Sequence, residues 1–381
     1  MKKNILGFSL LMFVVFVAHG LVNTQSVPFL TAIGYNSIER GYIMSFYAVI
    51  AVLGQFLSGY LSDKYKTVKR FFIYATIILI GFTFLTFVLN DKNFLLHFFL
   101  MGNTIGFIRI IGNLLETWII EVDGMYPYFG SIRSLGSLGW ALASLVSGYL
   151  IAYRGYALLM WVSIAFNILV VIVSFMMEDA TKEMGVSINI KDVKTLFQNK
   201  SFMMLILIYG LVYVVYNSDH VSVTDFIFFI GGSETDVGVK WFVQAISEIP
   251  LLFAGTYFLK KYQGKKLMIF GTLMMGLRFV LYAMFPSTAA VIVFSTLQAL
   301  SFPFVLISQK ELVLNETPAA LRSTGQMVSV ALTAGSSAIV SPILAGYLGA
   351  YMSIRVVVLG FGLFMLVPTF LMARFKPSII T

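Results

Sequence analysis

A few ionisable side chains interrupt long apolar stretches of this sequence: Arg109, Glu116, Arg133, Asp219, His220, Asp225, Glu248 and Arg278. In apolar surroundings each costs several kcal/mol unless it is paired or faces water, and such residues usually mark function. Spacing groups them. Arg109, Asn113 and Glu116 are four and three residues apart and share one helical face. Arg133, Gly136, Trp140, Ser144 and Ser147 make a second stripe, Trp241, Gln244 and Glu248 a third, and His19, Asn23 and Ser26 a fourth. The chemistry these groups offer is recognition. A carboxylate beside a guanidinium presents several acceptors and five donors to a polyhydroxylated solute. An indole face suits the apolar side of a sugar ring. The structural alternative is an ion pair between Glu116 and Arg133, Trp140 as packing, and glycines as close helix contacts. Arg109 has two readings, a second partner for Glu116 or a cation for a carboxylate or phosphate on the solute.

Stripes of this kind need helices, and composition names their solvent. Hydrophobic residues make up 59% and charged residues 11% of the 381 positions, against about 45–50% and about 25% in soluble domains. A spanning helix takes about 20 mostly apolar residues. Twelve such stretches run at 5–29, 41–61, 71–89, 94–118, 131–152, 156–177, 202–224, 237–259, 267–285, 289–309, 325–350 and 355–373. The short alternating segments of a transmembrane barrel are absent. The expected fold class is all-α integral membrane. Lys2 and Lys3 precede an apolar run that reaches Phe29, too long for a signal-peptide core, so it reads as the first membrane helix.

The net charge of +9 reads as an orientation signal. If the helices alternate, Lys2, Lys3, Lys64, Lys66, Lys69, Arg70, Lys182, Lys191, Lys265, Lys310 and Arg374 fall on one side with most other basic residues. Arg40, Lys92, Arg154, Lys240 and Arg355 fall on the other. The excess marks the cytoplasmic side and places both termini there. Nucleic acid is not an expected partner. The chain has no cysteine, hence no disulfide and no thiolate metal site. A Gly-rich phosphate loop, a His-Glu-x-x-His pair and a serine elbow are all missing, so neither an enzyme, a metal nor an organic cofactor is expected. The histidines at 19, 97 and 220 are scattered, with His97 placed at the interface near a helix end.

A polar connection at 178–201 (EDATKEMGVSINIKDVKTLFQNKS) separates two expected six-helix bundles, 1–177 and 202–381. The halves echo one another. Ser58-Gly59-Tyr60 with Lys64, Lys69 and Arg70 recurs as Ala254-Gly255-Thr256-Tyr257 with Lys260, Lys265 and Lys266, at an offset of 196. Ser147-Gly148-Tyr149-Leu150 recurs as Ala345-Gly346-Tyr347-Leu348, at an offset of 198. Repeated halves are characteristic of secondary transporters, which bind solute near the midplane. The stretch GYLSDKYKTVKR (59–70) resembles the loop motif of the major facilitator superfamily. The resemblance implies two pseudo-symmetric six-helix bundles and a conformational latch built from Gly59, Asp63, Lys69 and Arg70. Leu259 replaces the aspartate in the second half, so the motif there is degenerate.

A narrower resemblance lies between 116 and 140. Glu116, Arg133 seventeen residues on, and SIRSLGSLGWALAS (131–144) are similar to the oligosaccharide:proton symporters, the lactose permease branch, although the loop after Glu116 is one residue shorter. In that branch the glutamate and arginine pair and bind sugar hydroxyls, and the tryptophan stacks on the ring. Asp219 and Glu248, 29 apart, match two of its acidic residues, and Arg278 in GLRFVLYAMF its helix-nine arginine. Resemblance and stripes together imply a solute site of Glu116, Arg133, Trp140, Glu248, Arg109, Asn113, Asn23 and Gln244. They imply a proton-coupling set of Asp219, Glu248, Arg278 and His220.

One stretch departs from the pattern. In STLQALSFP (295–303), Ser295, Gln298 and Ser301 stand where the branch carries a lysine, a histidine and its proton-binding glutamate. None of the three titrates near neutral pH. The coupling proton then falls to Asp219 or Glu248, with Arg278 or His220 moderating it, unless Asp219 is simply paired with one of those two. The expected function is import of a disaccharide or other glycoside by alternating access, coupled to protons, by a monomer in the cell membrane. The alternative is a symporter for a nucleoside or small aromatic or organic acid. A drug or sugar efflux antiporter is disfavoured because SLGWALASLVSGYL (137–150) lacks the Gly-Pro pair usual in such antiporters.

Overall fold

The structure is a computed structural model that describes residues 2–180, 190–318 and 321–376. Lys182 and the rest of 181–189 in the expected connection lie outside the described residues, as do the side chains of Lys2, Lys3, Lys191 and Thr256. The first four spans are α1 (Asn4–Ala32), α2 (Ser37–Tyr65), α3 (Lys69–Val88) and α4 (Phe94–Glu121). Tyr126–Phe175 holds two more, α5 (129–153) and α6 (155–175). Between them Arg154 (φ −146°, ψ 24°) and Gly155 (φ 69°, ψ −173°) leave the helical path, and the positive φ is one that glycine adopts without penalty. The rest are α7 (Lys200–Phe229), α8 (Glu234–Tyr262), α9 (Gly264–Met284), α10 (Thr288–Asn315), α11 (Thr324–Tyr351) and α12 (Ile354–Arg374). Among the described residues these twelve match the twelve apolar stretches, the largest difference being six residues at the end of α10.

Contacts divide the chain into two compact units, Met1–Gly185 with Gly232–Ile246, and Val186–Gly231 with Ser247–Thr381. The first break falls inside 178–201. The segment 232–246, expected with 202–381, instead packs with the first unit. Glycine accounts for this. A Cβ on Gly148 would lie 2.4 Å from Thr235 Cα and 2.5 Å from Glu234 O, and one on Gly238 would lie 2.4 Å from Ser144 O. Backbones that touch can also exchange polar contacts. Gln25 Nε2 donates to Ser147 Oγ (2.8 Å) and to Glu234 O (3.1 Å), and Tyr156 Oη donates to Glu234 Oε1 (3.2 Å).

In the first unit α1 lies hard against α5. A Cβ on Gly139 would sit 2.5 Å from Phe13 O, and one on Gly20 would meet Ala143 Cβ at 2.9 Å and Trp140 O at 3.2 Å. Small residues at these positions let the helices approach until backbone dispersion contacts replace side-chain ones. His97, in the first turn of α4, is wholly buried within the protein, and its Nδ1 meets Tyr35 Oη at 2.9 Å.

In the second unit three helices depart from regularity. α7 contains a π-turn at Asp219–Val223 and α11 one at Ala331–Gly335; such turns often occur at functional sites. α10 is interrupted: Thr288–Phe294 passes into a 3₁₀ stretch, Ser295–Leu300, and after Ser301 (φ −111°, ψ −83°) resumes as Phe302–Asn315 with Pro303 in its first turn. A polar ladder ties these helices together. Tyr209 Oη meets Ser308 Oγ at 3.1 Å, and Tyr213 Oη donates to Gln309 Oε1 at 2.9 Å. Gln309 Nε2 donates to Ser329 Oγ (3.0 Å) and Thr333 Oγ1 (3.1 Å), and Asn217 Nδ2 to Ser337 Oγ (2.8 Å). A short helix, Ile190–Gln198, sets Leu196 against Phe202, Ile206 and Val313.

Gly139→Val pushes a branched side chain onto Phe13 O and should cost about 1–3 kcal/mol by overpacking, read as a lower unfolding temperature in detergent. Gly81→Ala, where a Cβ meets nothing within 4 Å, should leave that temperature unchanged or raised.

Candidate substrate site

The site on the first unit is built on α1, α4 and α5. Arg133 Nε donates to Glu116 Oε1 at 2.6 Å, and Arg133 Nη1 to Ser137 Oγ at 3.3 Å. The guanidinium stands 4.6 Å over the Phe16 ring. The pair is not sealed: about a third of each side chain stays accessible (36% and 32%). Arg109 and Asn113, on the face that carries Glu116, are exposed, and a Cβ on Gly112 beside them would meet nothing within 4 Å. Trp140 is half-buried, and among the described residues no aromatic ring stacks on it. Asn23 and His19 on α1 are buried. The His19 ring sits 6.4 Å from Phe16. The stripes containing Glu116, Arg133 and His19 therefore meet around Phe16, an aromatic that the spacing argument did not single out. On the first half of α8, Gln244 is buried and Trp241 is half-buried. Lys240, expected at the outer surface, is also buried, its Nζ 3.6 Å from the Trp241 ring centroid.

The second unit holds a longer chain of charge. Arg278 and Asp219 are both wholly buried and paired, Nη2 to Oδ2 at 3.5 Å. Of the two partners open to Asp219, the structure shows Arg278; His220 is half-buried beside it. Arg278 Nη1 donates to Gln298 Oε1, and Gln298 Nε2 donates to Glu248 Oε1. Ser301 Oγ stands 3.4 Å from Gln298 Oε1, and Tyr282 Oη meets Ser295 Oγ at 2.8 Å. Ser295, Gln298 and Ser301 entered the sequence argument as residues that cannot titrate. In the structure Gln298 bridges the buried arginine and a half-buried carboxylate. The break in α10 turns that side chain toward both, a feature that a run of small polar residues before Pro303 hinted at without specifying.

The motif at 59–70 has a definite structural role. Lys69 Nζ donates to Phe175 O (3.0 Å) and Met177 O (2.6 Å), capping the end of α6. Asp179 accepts from the backbone N–H groups of Val68 (3.2 Å) and Lys69 (3.0 Å). Lys265, at the same place in the repeat, does likewise for α12: its Nζ donates to Ala373 O (3.0 Å) and Phe375 O (2.7 Å). These cations meet helix C-termini, where carbonyls lack intrahelical partners. Asp63 and Arg70 are exposed, and a Cβ on Gly59 would meet nothing within 4 Å.

The chain belongs to the MFS_1 like family, whose sequence profile matches residues 5–364. It is a multi-pass membrane protein with the major facilitator fold. The putative nucleoside transporter YegT of Escherichia coli (strain K12) is 22% identical over 289 residues, which cover 71% of this chain and 66% of that protein, just short of two thirds of its length. Among solved structures, the nucleoside transporter NupG superposes with a TM-score of 0.85 at 19% identity, covering 98% of this chain and 99% of that one. A D-xylose-proton symporter superposes with a TM-score of 0.77 at 13% identity, covering 98% of each chain.

Arg278→Met leaves Asp219 as a buried charge without its guanidinium and should cost about 3–5 kcal/mol, read from unfolding in detergent. The double variant Arg278→Met/Asp219→Asn should recover part of that loss. Equal instability of the double and single variants would argue against the pair.

Proposed function

We propose that this protein is a proton-coupled symporter that imports a nucleoside or nucleoside-like solute. The observation that carries the reading is the half-open Glu116–Arg133 pair, with Trp140 two turns from Arg133 on the same stripe of α5, a half-buried indole on which no aromatic ring stacks among the described residues. Ribose hydroxyls suit a carboxylate–guanidinium pair, which both accepts and donates. A planar base suits the indole face, as offset stacking is worth about 0.5–1.5 kcal/mol beyond area burial. The relatives described above as nucleoside transporters favour this substrate over the glycoside that the 116–140 motif implied. Asn23, Asn113 and Gln244 supply further polar contacts.

A coupling proton has to reach water on each side in turn. Asp219 is wholly buried and answered by Arg278, whereas Glu248 is half-buried and accepts from Gln298. These facts favour Glu248 as the proton carrier, with Arg278 acting on it through Gln298. Asp63, Gly59 and Arg70 serve as the conformational latch. The excess of basic residues on one side favours a plasma-membrane orientation with both termini in the cytoplasm, and we take the working unit to be a monomer.

Two measurements test this. A nucleoside at 100 times its dissociation constant should stabilise the purified protein by about 2.7 kcal/mol, and Trp140→Ala should abolish the effect. Stabilisation by glycosides alone would return the substrate to the sugar class, and an unaffected Trp140→Ala variant would remove the stacking assignment. In vesicles with an imposed pH gradient, Glu248→Gln should lose accumulation yet keep downhill counterflow, while retained accumulation would move the proton elsewhere.

A further inference from the structure

We propose that Arg109, two helical turns from Glu116 on the same face of α4, forms a carboxylate-binding subsite to which His19 can add a nitrogen, so that the preferred solute carries a single negative charge. The inference rests on the first-unit site described above. The sequence left Arg109 between two roles, and the geometry separates them. Glu116 is engaged by Arg133 at 2.6 Å. Arg109, one face-repeat away on α4, makes no hydrogen bond or ion pair among the described residues. Its side chain is exposed on the face that carries Asn113 and Glu116, and Gly112 next to it leaves open space. A face bearing an arginine, an asparagine and a glutamate belongs to a water-filled cavity and not to lipid.

A second observation comes from α1. His19 is 3% exposed, and its Nε2 has no hydrogen-bond partner. A buried ring nitrogen left without a partner forgoes a hydrogen bond that a ligand can supply. Phe16 links this ring to Arg133, 6.4 Å from one and 4.6 Å from the other. Guanidinium and imidazole together offer a planar two-donor fork and one further nitrogen, a set matched to a carboxylate.

Arg133 is answered by Glu116, whereas Arg109 has no ion pair among the described residues, and one carboxylate answers one guanidinium. The solute class is therefore a nucleoside-like or glycoside-like body bearing one carboxylate.

The test compares matched neutral and acidic probes by thermal stabilisation of the full-length protein. The pairs are uridine with uridine-5′-carboxylate, and methyl glucoside with methyl glucuronide. In at least one pair the acid should bind tenfold or more tighter than its neutral partner. Arg109→Gln should erase that preference, and Arg109→Lys should keep part of it. A preference seen only in the glucoside pair leaves the subsite standing and removes the nucleoside reading. Uridine binding without any gain from the carboxylate does the reverse. The proposal is overturned if neither acid stabilises the protein, or if the preference survives Arg109→Gln. Should Arg109→Gln fail to fold, full retention of the preference in Arg109→Lys, which lacks the planar fork, overturns it equally.

Discussion

Arg278 has almost no contact with solvent, so its charge must be answered from within the protein. One ion pair to Asp219 and one hydrogen bond to Gln298 provide that answer, and much of the second unit is arranged to make it possible. The π-turn in α7 begins at Asp219. The break in α10 brackets Gln298. Each irregularity gives up regular helical hydrogen bonds, a loss tolerable at membrane depth only where nearby polar groups make it good. The hydroxyls of Tyr282, Ser295 and Ser301 stand close by. The arginine therefore constrains backbone geometry on two helices as well as side-chain chemistry.

The first unit meets the same requirement differently. Its arginine–glutamate pair is left partly open, and α1 and α5 meet through glycine and small residues. Close backbone contact at Gly139 and Gly20 fixes where Trp140 and Phe16 stand relative to Arg133. A rigid apolar seam beneath a half-solvated ion pair suits a place where a solute must be held and then released, because the pair loses little when a ligand takes over some of its hydrogen bonds.

The fold was legible in the sequence because span length and helix count follow from hydropathy, and repeats from direct comparison of the halves. The joining of Glu116 and Arg133 was legible through the resemblance of 116–140 to a known transporter branch, in which the corresponding residues pair. What escaped depended on backbone detail. Nothing in the residue types at 295–303 says that α10 breaks there, so Gln298 read as an absence of titratable chemistry where it serves as a bridge. Glycine at 148 and at 238 gave no notice that 232–246 would join the first unit. Phe16 lay inside a uniformly apolar run, where an aromatic that seats a guanidinium looks like any other.

The two lysines that close α6 and α12 lead to a last point. Lys69 and Lys265 stand 196 positions apart and perform the same act, each donating to two terminal carbonyls of the last helix in its own half. Around them the halves have drifted: an aspartate has become Leu259, and the ionisable groups within the spans no longer correspond. The chain keeps its family likeness to itself in the stitches that finish each bundle, while the surfaces that handle cargo have been free to specialise. A gene that doubled and then divided its labour leaves this signature, with heredity preserved in the seams and novelty in the lining.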